Sequence, residues 1–306
     1  MKGGGGEKAV VPEAEFRSYY GRPVIKAPVW HEPHMPTYLY LGGMSGVSSS
    51  VAVMARLTGN VRLARTARLA AAAGASIGAA LLAAELGRPE RFLNMLRVFK
   101  PTSPMSVGSW ILAAQGGLSA AAATSDLTGV LPAAGDAALL ATALTGPLTA
   151  TYTAVLVADT AVPAWHEAYR ELPFLFAGSA MAAAGGVAML ATPRPQAGPA
   201  RAVAALGAAV ETVAGEVMQR RLGLVGEPYR LGRAGRLLRT ARMLTAGGGL
   251  LATVAGRSRT LTALSGLALT AGSLCTRFGI LEAGRTSAAD PKYTVVPQRE
   301  RLDAAS

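Results

Sequence analysis

Eight stretches of the chain, each close to twenty residues long and poor in charge, limit what it can fold into. They run over roughly 37–57, 67–86, 107–125, 136–158, 171–191, 199–219, 237–256 and 260–282. A helix needs about 20 mostly apolar residues to cross a bilayer. The expected fold is therefore all-α, a polytopic membrane protein of eight transmembrane helices. The fourth and fifth stretches are the clearest. The sixth, PARAVAALGAAVETVAGEVMQ, is the weakest, because it carries Glu211 and Glu216. Composition agrees: 51% of residues are hydrophobic and 16% charged, where a soluble chain carries about 25% charge. That apolar content also excludes disorder for most of the chain. Many stretches are built of Ala and Gly, which favour close helix contact over lipid. Gly42/Gly46, Gly74/Gly78 and the Gly247–Gly249 run are expected at such contacts.

The formal net charge is +12, from 30 Lys+Arg against 18 Asp+Glu. Eight spans put both termini on one side, here side A. Side A then receives 22 of the basic residues and side B receives 8. The positive-inside rule makes side A cytoplasmic. A basic side A also suits the docking of an acidic partner. Residues 1–15 contain no apolar signal-peptide core, so the first helix is expected to act as the insertion signal. Residues 1–36 read as an extended arm at the membrane surface. Prolines at 23, 28, 33 and 36 each disfavour helix at the residue before. Tyr19, Tyr20 and Trp30 are expected at headgroup level or against a partner. Residues 286–306 read as a polar, mobile tail.

One cysteine, Cys275, excludes a disulfide framework. It equally excludes a cysteine-ligated Fe–S cluster or structural zinc built by this chain alone. The three histidines, His31, His34 and His166, all fall at the side-A boundary. A bis-histidine haem needs paired imidazoles inside the bundle, so no haem is expected, and no metal site. Electrons handled by this chain must pass to a cluster in another subunit.

Ionisable residues inside lipid are costly and point to function. Here they gather in one half of the bilayer. Glu85 ends span two on side A, and Ser109 and Trp110 begin span three. Tyr152 lies about 10 Å inside the side-A end of span four, by rise per residue, and Asp159 ends that span. His34, Tyr38 and Tyr40 open span one. Arg277 and Glu282 lie near the side-A end of span eight. Glu216 lies near the side-A end of span six, with Glu211 about one and a half turns deeper. A transporter would place its site near the midplane. The bland alternatives differ by residue. Tyr152, His166 and Trp110 suit an interface. Glu85 with Arg88, and Glu216 with Arg220, suit ion pairs at i, i+3 and i, i+4. Asp159 at a helix C-terminus opposes the dipole, so capping explains it poorly. Glu211 is short and deep, which leaves snorkelling the weakest explanation there. Arg88, Arg91, Arg97 and Lys100 serve as a positive-inside signal and as a docking surface.

The run LGRPERFLNMLRVFKPTSPMSVGSW (Leu86–Trp110) resembles the NrfD family, the membrane subunits of polysulfide-reductase-type complexes. So do SYYGRPVIKAPVW (Ser18–Trp30) with YLYLGGMSGVSS after it, and YTAVLVADTAVPAWHEA (Tyr152–Ala168). The resemblance covers the first 170 or so residues; over 171–306 it rests mainly on span count. It implies eight helices in two four-helix bundles, over 37–158 and 159–285. It implies no prosthetic group in this chain, neither haem nor Fe–S. It implies a quinone headgroup site near the face that docks a four-cluster ferredoxin-like Fe–S subunit. That subunit in turn contacts a large catalytic subunit, commonly a molybdopterin enzyme. The family's quinone-contacting tyrosine maps onto Tyr152. Its histidine near the first span has His34 as its nearest counterpart, a departure from the pattern.

The chemistry suits those residues. Quinol oxidation releases two protons and two electrons. A ring oxygen needs a partner that both donates and accepts, as Tyr or His does. A carboxylate nearby can collect the proton. The expected quinone site (menaquinone or ubiquinone) comprises Tyr152, His34, Tyr38, Trp110 and His166, with Asp159 and Glu85 handling protons. The partners expected are the two subunits and the lipid bilayer of a bacterial or archaeal cell (inner) membrane, with no nucleic acid. Two rivals remain. Glu211 and Glu216, as proton-path candidates, motivate a transporter or proton-conducting subunit. A purely structural anchor is the other.

Overall fold

The structure is a computed structural model that describes residues 23–86 and 89–305. Among these residues it contains helices and no strand. The elements are α1 (His34–Leu57), α2 (Val61–Glu85), α3 (Pro104–Thr128), α4 (Pro132–Ala158), a short α5 (Pro163–Glu167), α6 (Leu172–Ala191), α7 (Gly198–Arg221), α8 (Gly232–Val254), α9 (Arg259–Ala289) and α10 (Lys292–Ala305). Eight of them, all but α5 and α10, are 20–31 residues long, about 30–46 Å at the rise of an α-helix.

The eight long helices alternate in direction. On side B the links are brief and meet each other: the side-chain amide of Asn60 donates to the Gln196 carbonyl, and Arg194 donates to the Arg257 carbonyl. On side A the links are longer and carry helical turns of their own, over Pro89–Leu96, α5 and Gly223–Tyr229. The sequence marks these ends. Asn60, Ser103 and Ser258 each accept a backbone N–H at the start of a long helix, which satisfies a donor the helix cannot. Prolines stand in the first turn of α3, α4, α6 and α7, where no N–H is needed.

Helix α1 packs on α2 and α4, and α3 on α4 and α2. Likewise α6 packs on α7 and α9, and α8 on α9 and α7. The two sets meet where α1 and α4 touch α6 and α1 touches α9. Glycine makes the tightest crossings. A Cβ on Gly46 would strike the Gly146 carbonyl, and a Cβ on Gly178 would lie 2.5 Å from the Glu211 nitrogen. Gly74, Gly248 and Gly249 are crowded in the same way, as expected; Gly42 and Gly247 face open space and Gly78 has only ordinary contact. The outward faces are apolar: Leu140, Leu144 and Leu148 stand one turn apart on α4, and Leu206, Val213 and Val217 line α7. Contiguous exposed leucine and valine suit lipid, not water. Four helices, α2, α4, α6 and α9, are long and apolar enough on composition alone to cross a membrane.

Most of the stretch expected as a polar tail is helical. Helix α9 continues to Ala289, and α10 docks on side A through Lys292 to Glu227, Tyr293 to Glu227, and Arg301 to Glu167. These partners lie at least 65 residues away in sequence, so a local reading sees only a polar run. The Lys292 ammonium beside Glu227 holds that carboxyl below the ordinary carboxylate range.

Candidate functional site

At the side-A end of the first set of helices lies a cavity of about 300 Å³. Tyr38 from α1, Glu85 from α2, Gly108 and Ser109 from α3 and Tyr152 from α4 supply its polar or close-packed wall. Met35, Leu112, Leu156, Met95, Met105 and Trp30 make the rest apolar. Such a mix, mostly greasy with a few convergent polar groups, is typical of small-molecule sites, and the volume is at their lower bound of about 300 Å³.

The tyrosines form the polar centre. The Tyr38 and Tyr152 hydroxyls are hydrogen-bonded to each other across 114 residues of sequence. Each hydroxyl can both donate and accept, so the pair can pass a proton along itself. Gly108 makes room for the Tyr152 ring: a Cβ there would run into it. Tyr38 is buried, 2% exposed. Its ring is fixed by packing in a core shared with Trp165, Leu172 and Phe176.

Glu85 is the cavity's carboxylate. Its side chain is 9% exposed. One oxygen accepts the His31 backbone N–H at 2.6 Å and lies 3.2 Å from His31 Nδ1. The other oxygen, buried, has no hydrogen-bond donor among the described residues, and His34 Nδ1 stands 3.6 Å from it. Both imidazoles are substantially exposed, so Glu85 connects the cavity wall to the side-A surface through two groups that can donate and accept a proton.

The N-terminal arm closes the cavity. Trp30 stacks on Trp165 at 5.2 Å between ring centroids, an arrangement worth about 0.5–1.5 kcal/mol beyond area burial. Trp165 is fully buried and donates its indole N–H to the Ile280 carbonyl at 2.7 Å. Glu32 is paired with Arg233 of α8 and Arg285 of α9. Thus His31 is fixed to α2 of one helix set, while its neighbour Glu32 is fixed to α8 and α9 of the other.

The remaining sequence candidates scatter. Asp159 is exposed at the end of α4 and does not line the cavity. His166 is exposed on α5 with Nδ1 3.2 Å from the Ala158 carbonyl. Trp110 points away from the cavity, edge-on to Phe99, while its neighbour Ser109 lines it. Arg91, Arg97 and Lys100 are exposed on side A, and Arg88 lies outside the described residues, as do Tyr19 and Tyr20. Glu216 is a surface ion pair with Arg220 and Arg242. Glu211 is buried and accepts the Thr276 hydroxyl at 2.5 Å. Sequence reasoning missed Trp30, Trp165, Gly108 and His31 as parts of one site. Only the motif strings that contain Trp30, Gly108 and Trp165 signalled them.

A family model described as polysulfide reductase matches residues 16–290. The chain belongs to that family, the NrfD-type membrane subunits, and is an integral membrane protein. The match reaches through the second set of helices, beyond the residue strings that carry the resemblance by eye. No curated protein matches the chain.

Proposed function

We propose that this chain is the quinone-reactive membrane subunit of a multi-subunit oxidoreductase. Its eight long helices cross the bilayer as two four-helix bundles, α1–α4 and α6–α9. It exchanges electrons between the membrane quinone pool and an Fe–S subunit docked on side A. The observation that carries this reading is the cavity in which the Tyr38–Tyr152 pair and the under-satisfied carboxylate of Glu85 converge among apolar walls. Membership of the family supports the partners: a four-cluster Fe–S protein and, beyond it, a large catalytic subunit of the molybdopterin type.

The residues fit a quinone as substrate. A planar ring with two oxygens needs apolar walls, a donor for the oxygen when it is a carbonyl and an acceptor when it is a hydroxyl. Tyr152 supplies either role, because Tyr38 can give it or take from it a hydrogen bond. Glu85 lies on the same wall and receives the proton that leaves a ring hydroxyl. Passage of that proton to His31 or His34 at the surface restores the carboxylate, which is then free to take the second proton. Trp30 and the methionines exclude water, which strengthens these hydrogen bonds. The two electrons leave to the partner subunit on side A, where Arg91, Arg97 and Lys100 offer a cationic docking surface. With side A cytoplasmic by the positive-inside rule, a reporter fused after α10 is expected to be active in the cytoplasm.

The test is made on the purified complex. Tyr152→Phe is expected to abolish most quinone-linked turnover while leaving dye-linked activity of the catalytic subunit intact. Equal quinone-linked rates in variant and wild type would remove the cavity from consideration.

A further inference from the structure

A second buried polar site lies in the other set of helices, and the quinone reading does not use it. Gly178 of α6 and Gly207 of α7 let these two helices approach backbone to backbone. That contact fixes Glu211 in the interior, 5% exposed. Thr276 of α9 donates to one of its oxygens, and the other has no hydrogen-bond partner among the described residues. Thr245 of α8, 1% exposed, and Ser179 of α6 also face the carboxylate, the Thr245 hydroxyl making no hydrogen bond at ordinary distance. Glu211 and Thr245 line a narrow cavity of about 40 Å³ between α7, α8 and α9. At its other end stand Gln219, near the side-A end of α7, and the exposed Arg242, roughly 15 Å into α8 from its side-A end by helical rise. From Gln219 to Glu211 is eight residues, about 12 Å along the helix. A cavity needs roughly 10–15 Å³ per water by this measure, so this one admits a short file of water.

The charged groups around Glu211 are few. Arg277 of α9, fully buried and next in sequence to the Thr276 that donates to Glu211, is the inner cation. Its guanidinium lies over the Phe176 ring at 3.6 Å and donates to the Phe176 carbonyl at 3.0 Å, leaving Nε and Nη1 without partners. Arg242 of α8 is the outer cation. Helix α6 presents Ser179, which is uncharged and bonded to Ser273 of α9. A cation at Glu211 would therefore face Arg277 with one carboxylate, which disfavours a metal ion. A proton is the ligand whose arrival and departure this site tolerates. Deprotonated, Glu211 is balanced by Arg277; protonated, it donates to the Thr245 hydroxyl or to water.

We propose that Glu211 is a proton-binding site supplied by water from side A through the inlet between α7 and α8. It is separate from the Tyr152 cavity. Arg277 also touches α1, lying 3.4 Å from where a Cβ on Gly43 would stand. The site thus abuts the helix that carries Tyr38.

Infrared difference spectroscopy of the full chain in lipid nanodiscs tests this without quinone turnover. Titration from about pH 5 to about pH 9, the range reached by buried carboxyls, is expected to give a carboxylic-acid C=O band. The band shifts in D2O, is lost in Glu211→Gln and moves in Glu211→Asp. Gly215 lines the inlet, and Gly215→Leu is expected to leave the band in place while slowing its exchange in D2O at least tenfold. A band that persists in Glu211→Gln, the absence of any titrating band in a folded protein, or exchange unaltered by Gly215→Leu would overturn the proposal. So would a band that responds to sodium and not to pH.

Discussion

The two sets of four helices bury polar groups in opposite ways. Around Tyr152 the polar atoms are few and the space is large, about 300 Å³ with apolar walls. Around Glu211 the polar atoms are many and the space is small, about 40 Å³. The first arrangement suits a flat organic molecule that must slide in and be held at its oxygens. The second suits water and a proton, since nothing larger enters. The same inventory of small residues builds both. The difference is where the glycines fall. Gly108 opens α3 toward a tyrosine ring, whereas Gly178 and Gly207 close α6 on α7.

The comparison can be broken at several points. The largest effect is expected at Tyr152, where Phe retains the ring but removes the hydroxyl. Quinone-linked kcat should fall on the order of 100-fold, the lower range for a positioned proton-transfer group, whereas Glu211→Gln should leave quinone affinity unchanged. Glu85→Gln should lower quinone-linked turnover about tenfold, as removal of a proton acceptor requires. Gly108→Ala forces a methyl against the Tyr152 ring. It should raise KM for quinone several-fold with smaller loss in kcat, read from steady-state assays with a soluble quinol. On side B, Arg68 is 7% exposed and bridges Asp126 and Asp136. Arg68→Ala removes this bridge, leaving Asp136 to Arg56 and Asp126 to Arg65, and should lower the thermal midpoint in detergent by a few degrees, the scale of about 1–2 kcal/mol, without changing dye-linked activity. Asp159→Asn, exposed and outside the cavity, should change quinone-linked turnover less than twofold. A loss as large as that of Tyr152→Phe would extend the site beyond the cavity wall.

The smallest effect concerns pH. Glu227 is held below its ordinary range by Lys292. A depressed carboxylate contributes stability that is complete above its unfolded value, 4.5 here, and is lost as pH falls through the lower folded value. Docking of α10 should therefore loosen only in strong acid, seen as faster proteolysis near residue 292.

The eight apolar stretches each coincide with a long helix, because span length and hydropathy are local properties. The errors sit at the ends. Residues 61–66 and 232–236 belong to helices α2 and α8 although Arg62, Arg65, Arg233 and Arg236 make them read as loop. Arginine is a good helix former, and here it lies at the water-facing end of each helix. The site was half legible. Tyr152 and Glu85 stand out as polar groups inside apolar runs, and Tyr38 opens a span. What joins them does not show in spacing. The contact of His31 with Glu85 crosses 54 residues and that of Trp165 with Ile280 crosses 115. His34, favoured from its place before span one, stands behind Glu85 and not in the cavity wall.

The arm has a consequence for synthesis. Trp30 and Val29 complete a cavity whose other walls come from residues 35–156. Yet the arm is fastened by Arg233 and Arg285, and its tryptophan rests on one anchored to Ile280. The ribosome makes the lid first and its fastenings last. The cavity can close only after α9 has been inserted, so a chain truncated before α8 would hold every polar residue of the pocket and still leave it open.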